Sequence, residues 1–105
     1  MIATLPPAQK RVLVFAAPGA DWRTVCHSLR EIFAQSAAPI DVIPVTPAQM
    51  RVRGMLDPAQ TLGFVLPGAS DADYDTKLGA DNIAALRMFV HDGGRFLGIC
   101  AGAFY

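Results

Sequence analysis

Two cysteines and two histidines are all that 105 residues offer in thiol or imidazole chemistry, and this scarcity excludes several classes. Cys26 and Cys100 have neither metal-ligand spacing nor the dense spacing of a disulfide framework, so no metal is expected and a reducing compartment is. Nine basic residues balance nine acidic ones. No net field steers the chain to nucleic acid or to an anionic membrane, and no Lys/Arg cluster with interleaved aromatics appears. No apolar stretch is long enough to span a bilayer. The start, MIATLPPAQKRVLVFAAPG, is not a secretory signal, because Pro6, Pro7, Lys10 and Arg11 interrupt it. The expected location is therefore the cytoplasm. Neither G-x-G-x-x-G nor a Lys-bearing phosphate loop is present, which argues against a nucleotide-binding module, and no cofactor is expected.

What is abundant is apolar. Hydrophobic residues make up 52% of the chain and charged residues 17%, the balance of a core-rich globular protein rather than a disordered one. The length allows one domain, small for an open α/β sheet. Residues 1–10 read as an N-terminal arm and 11–105 as the domain. Val12 to Ala16 is a continuous apolar run closed by Pro18-Gly19, the pattern of a strand buried on both faces. A helix follows, with Asp21 placed to cap it and Trp22, Val25, Cys26, Leu29, Ile32 and Phe33 recurring on one face. Cys26 in that stripe reads as a packed, inert thiol, and His27 beside it as a solvated surface histidine.

Ile40 to Val45 forms a second strand, which Pro44 assigns to a sheet edge. Thr46 caps a short helical segment from Pro47 to about Arg53, and Leu62 to Leu66 is a third strand ended by Pro67-Gly68. Ala69 to Asp81, with Asp71, Asp73, Asp75 and Asp81, is too polar for core. It lacks the central glycine and terminal glutamate of a calcium loop, so it reads as a solvated loop. Ile83, Leu86, Phe89 and Val90 mark a second amphipathic helix, capped by Asp81 or Asn82 and stopped at Gly93. His91 sits in its last turn. Strands alternating with helices predict a parallel sheet covered on both faces, with ligands beyond the carboxyl ends of the strands.

The last dozen residues, GGRFLGICAGAF, read as a buried strand running into a tight turn. Cys100 stands between Gly98 and Gly102, each two residues away, and G-x-C-x-G is the layout of a nucleophile elbow. Side chains at the two flanking positions would collide across such a turn, and a helix starting at Ala101 or Gly102 would favour thiolate. The alternative is that Gly98 and Gly102 only allow close packing, with Cys100 a small buried hydrophobe. Pro18, Gly19 and the Pro67-Gly68-Ala69 turn share that end of the sheet. Backbone N–H groups near Gly68 and Ala69, with that of Ala101, would converge there as an oxyanion hole.

The segment from the third strand through PGASDADY, a helix and GGRFLGICAGAFY resembles class I glutamine-amidotransferase-like domains. It is most similar to the branch found as the N-terminal domain of some biotin-protein ligases and in stand-alone bacterial relatives. The resemblance covers residues 11–105 and implies a three-layer, flavodoxin-like parallel sheet, incomplete at its C-terminal side. It also implies Cys100 as nucleophile, Ala101 N–H as one oxyanion donor and the Gly68-Ala69 backbone as the other, with Asp71 and Tyr74 in the pocket. Ala69 stands where the family usually shows a second glycine. The histidine and acid that complete such a site arrive well after the elbow in that superfamily, and this chain contains neither there. Three functions follow as expectations: acyl transfer through Cys100 on a small amide or acyl substrate, a non-catalytic docking or regulatory domain, or a redox-sensing thiol. The open sheet edge is expected to be covered by a second copy or by a further C-terminal segment.

Overall fold

Val12, Leu13, Val14 and Phe15 are all buried, and a strand with both faces in the core must lie inside its sheet. The computed structural model describes residues 10–37, 39–68 and 77–99. In it β1 (Lys10–Phe15) runs parallel to β2 (Ile40–Val45) on one side and to β3 (Thr61–Leu66) on the other. The final described strand, β4 (Arg95–Gly98), pairs in parallel with β3, giving the order β2-β1-β3-β4. β2 is at an edge, as Pro44 indicates. Strand β1 begins two residues before the apolar run because Arg11 has partners there: its Nε donates to Thr61 Oγ1 at 2.8 Å and its Nη2 to the Gly54 carbonyl at 2.6 Å.

Helices α1 (Trp22–Phe33), α2 (Pro47–Met50) and α3 (Ala80–His91) complete a three-layer α/β fold of the flavodoxin-like kind. The alternation along β1 divides the core. Val12 and Val14 pack with Cys26, Val42 and Val65 under α1, whereas Leu13 and Phe15 pack with Met50, Phe64, Leu86 and Phe89 under α2 and α3.

Several boundaries and caps differ from the sequence reading. Asp21 occupies the N-cap position of α1, but its side chain makes no capping bond. Ile32, read as part of the buried stripe, is 63% exposed. Asn82 does not cap α3. The helix begins at Ala80 behind Gly79, whose φ of +83° suits glycine. Asn82 is instead buried, with Nδ2 donating to the Pro47 carbonyl at 3.0 Å and the Leu78 carbonyl at 2.9 Å. Leu78, inside the stretch read as too polar for core, is buried, whereas Val90 is exposed. The strand leading toward Cys100 is not a buried one: Arg95 and Leu97 are exposed and Phe96 is half-buried. Its outer edge has no neighbour among the described residues, and α1 lies over β1 and β2 rather than over β4.

Candidate functional site

The order β2-β1-β3-β4 has its switch point between β1 and β3, since the chain leaves β1 toward one edge and β3 toward the other. Ligand crevices in open parallel sheets lie there, beyond the carboxyl ends. Two Pro-Gly turns meet at that point. After β1 the Ala20 N–H donates to the Ala17 carbonyl at 3.0 Å, and Gly19 takes a φ of +86°, which a side chain would strain. This tight turn carries the Asp21 N–H to the Gly68 carbonyl, 2.8 Å away, and so fastens the two turns together. On the far side of β3, the Ile99 N–H donates to the Leu66 carbonyl at 2.9 Å. The end of β4 is thereby held beside the turn that follows β3.

Of the residues that sequence reasoning assigned to the site, Pro18, Gly19, Gly68 and Gly98 lie together at this end of the sheet. Cys100, Ala101, Gly102, Ala69, Asp71 and Tyr74 lie outside the described residues, as do Asp73, Asp75 and residues 1–9. The backbone N–H of Asp21 was missed, because a main-chain donor carries no side-chain signature; only the Pro18-Gly19 turn signalled that the chain reverses there. At the start of α1 the Arg23 guanidinium stacks 4.6 Å from the centre of the Trp22 ring.

Neither histidine belongs to this end. His27, midway along α1, pairs with Glu31 at 3.1 Å on the solvent side. His91, the last residue of α3, lies beside Asp92 at 3.3 Å, ahead of the turn that leads into the opposite end of β4. Cys26 is buried under α1, and its thiol is raised above the ordinary range by that burial, with the Arg30 guanidinium pulling weakly the other way. It is a neutral, packed thiol at physiological pH. No helix among the described residues is long and apolar enough to cross a membrane.

A half-open apolar groove of about 400 Å³ runs between α3 and β4, lined by Leu66, Leu78, Ile83, Leu86, Val90 and Phe96 with Arg87 at its rim. It is bounded by the same β4 strand whose outer face exposes Leu97.

An uncharacterized protein of Chlamydia muridarum (strain MoPn / Nigg) is 32% identical over 98 residues, which cover 91% of this chain and 37% of that protein. The chain thus spans little more than a third of the relative's length. No solved structure matches. The family model for the N-terminal part of biotin-protein ligase matches residues 10–105, nearly the whole sequence, and the chain belongs to that biotin-protein ligase N-terminal family.

Proposed function

We propose that this chain forms the front of a glutamine-amidotransferase-like domain in which Cys100 attacks the carbonyl carbon of a small amide or acyl substrate. A C–S bond forms as the C–N or C–O bond of the substrate breaks, and the leaving group departs with a proton. Water then cleaves the thioester, releasing a carboxylic acid and restoring the thiol. The observation that carries the reading is the meeting of three strand ends. The Ile99 N–H donates to the Leu66 carbonyl at 2.9 Å, which holds the last described residue of the chain beside the strand that leads into the Pro67-Gly68 turn. Ala69 and Ala101 are the proposed oxyanion donors, Gly98 and Gly102 the elbow glycines, and Asp71 and Tyr74 the pocket residues. The base and its acidic partner would come from residues beyond Tyr105 in a longer polypeptide or from a partner, since His27 and His91 are turned elsewhere. The proposed compartment is the cytoplasm.

The test is the pH dependence of iodoacetamide alkylation at Cys100, read by peptide mass spectrometry with buried Cys26 as internal control. Half-maximal rate near neutral pH or below, confined to Cys100, is expected. A rate that rises only toward ~8.5, or no labelling, removes the thiol from the function.

A second reading is favoured by the exposed Leu97 and the apolar groove beside β4. In it the domain is a non-catalytic docking or regulatory module whose open edge is covered by a second copy or by a further segment. An unreactive Cys100, together with an apolar patch that stops binding a hydrophobic dye when the partner is added, would establish it.

A further inference from the structure

From the two edges of the sheet we infer that a second copy of this chain pairs with β4: the two β4 strands run antiparallel about a two-fold axis at Leu97 and join the sheets of both copies into one. The inference rests on the docking reading above, names its occupant and register, and uses no property of Cys100.

The edges differ in the main-chain groups they turn outward. Along a strand the N–H and C=O of one residue share a side, and successive residues alternate. In β2 the Val45 carbonyl accepts from the Ala16 N–H at 2.8 Å, so the main chain of Asp41, Ile43 and Val45 faces β1 and that of Ile40, Val42 and Pro44 faces out. Pro44 has no N–H to offer, and the Val42 carbonyl is already taken by Arg30 Nη2 at 2.9 Å. That edge is closed to a further strand. In β4 the Ile99 N–H donates to the Leu66 carbonyl at 2.9 Å, so the main chain of Arg95, Leu97 and Ile99 faces β3 and that of Phe96 and Gly98 faces out. Both outward residues have an N–H as well as a C=O, and neither main chain has a partner among the described residues.

One open edge sets the stoichiometry. β4 cannot add to the β2 edge of another molecule, so head-to-tail growth is blocked and the pairing left is isologous, β4 on β4. One register pairs both outward residues, Phe96 opposite Gly98 of the second copy and the reverse. Each such pair exchanges two hydrogen bonds, and between them Leu97 stands opposite its own copy in a pair without main-chain bonds, where side chains come closest. Leu97 is the exposed apolar side chain of the strand. The glycine gives Phe96 an aromatic–glycine neighbour across the strands. Arg95 falls opposite Ile99 rather than opposite Arg95, which leaves the two arginines roughly 14 Å apart along the ladder, beyond the ~8 Å screening length. On the other face, Leu86 and Phe89 of α3 share one core cluster with Phe64 and Leu66 of β3, and Phe96 packs against it. With strands ~4.8 Å apart, the two α3 helices come about 10 Å apart, a helix-packing distance that closes the apolar groove beside Val90 and Phe96.

Sedimentation velocity of the chain at micromolar concentration is expected to show a dimer and no larger species. Leu97→Lys and Leu97→Glu each set like charges face to face across the axis, and each is expected to weaken the dimer by roughly tenfold or more. Mixed in equal amounts, the two variants are expected to pair again as a heterodimer. Ile32→Lys, at an exposed apolar position on α1 away from β4, is expected to leave the dimer unchanged. In a Cys100→Ser background, Leu97→Cys is expected to form a 97–97 disulfide with oxidised glutathione, whereas Arg95→Cys is not, because only residue 97 meets its own copy within disulfide reach. A dimer insensitive to Leu97→Lys, charge variants that do not pair when mixed, or open-ended polymers overturn the inference. A monomer that still binds a hydrophobic dye overturns it and leaves the docking reading to another occupant; a monomer that binds none removes both.

Discussion

Asn82 shows how one side chain can join two elements. Its amide donates to carbonyls on both the α2 segment and the turn before α3, at 3.0 and 2.9 Å, from a fully buried position. Asn82→Ala leaves two carbonyls without that donor and should cost about 1–3 kcal/mol, read as a lower urea midpoint. Asn82→Asp should cost more, because it points acceptor at acceptor. Gly94 is constrained differently: a Cβ there would come within 2.3 Å of the Phe89 ring. Phe89 is itself buried, so Gly94→Ala should destabilise by about 1–3 kcal/mol through overpacking in the same assay.

Cys26 gives a pH prediction. Burial keeps its thiol protonated to higher pH in the folded chain than in the unfolded one. The resulting stability is fully present below the unfolded-state value of ~8.5 and is lost as pH rises from there through the raised folded value. Urea midpoints should fall over that interval, and the fall should be shallower in Cys26→Ala.

At the scale of elements, local chemistry and tertiary support divide unevenly. The α2 helix is four residues long and would not persist alone. It is held by a reciprocal capping box, the Gln49 N–H donating to Thr46 Oγ1 at 3.2 Å and the Thr46 N–H to Gln49 Oε1 at 2.9 Å, and by Met50 in the core. Thr46→Ala should cost about 1 kcal/mol in the urea midpoint. This cap was legible because Thr-Pro before a short polar run is a start signal. The cap of α3 was not, because Asn82 serves equally well as a cap residue or as a buried bridge, and only the neighbouring Pro47 carbonyl decides between them. Strand β4 is the same kind of case. Phe96, Leu97 and Ile99 read as a buried strand, yet burial depends on which neighbours arrive, and α1 lies over the other half of the sheet.

At the scale of the whole molecule, the two edges of the described sheet are unlike. β2 carries Pro44, which cannot donate to a further strand. β4 presents an unblocked edge with Leu97 51% exposed beside it. A strand edge of that kind invites pairing with another chain. Leu97→Lys is expected to lower self-association in sedimentation velocity and to reduce hydrophobic-dye binding, with little change in unfolding midpoint.

The alternation of apolar runs with helical stripes was enough to determine a parallel α/β sheet with helices on both faces, because burial on two faces and the 3.6-residue period are written in residue order. The two Pro-Gly turns were equally legible. The tertiary structure alone decided that those turns are fastened to each other and that the Gly68 carbonyl faces Asp21 rather than β4. It also decided that the final described strand lies at an open edge. Backbone donors look alike in every sequence, and the direction of a peptide depends on partners brought together from about fifty residues apart by the parallel crossovers.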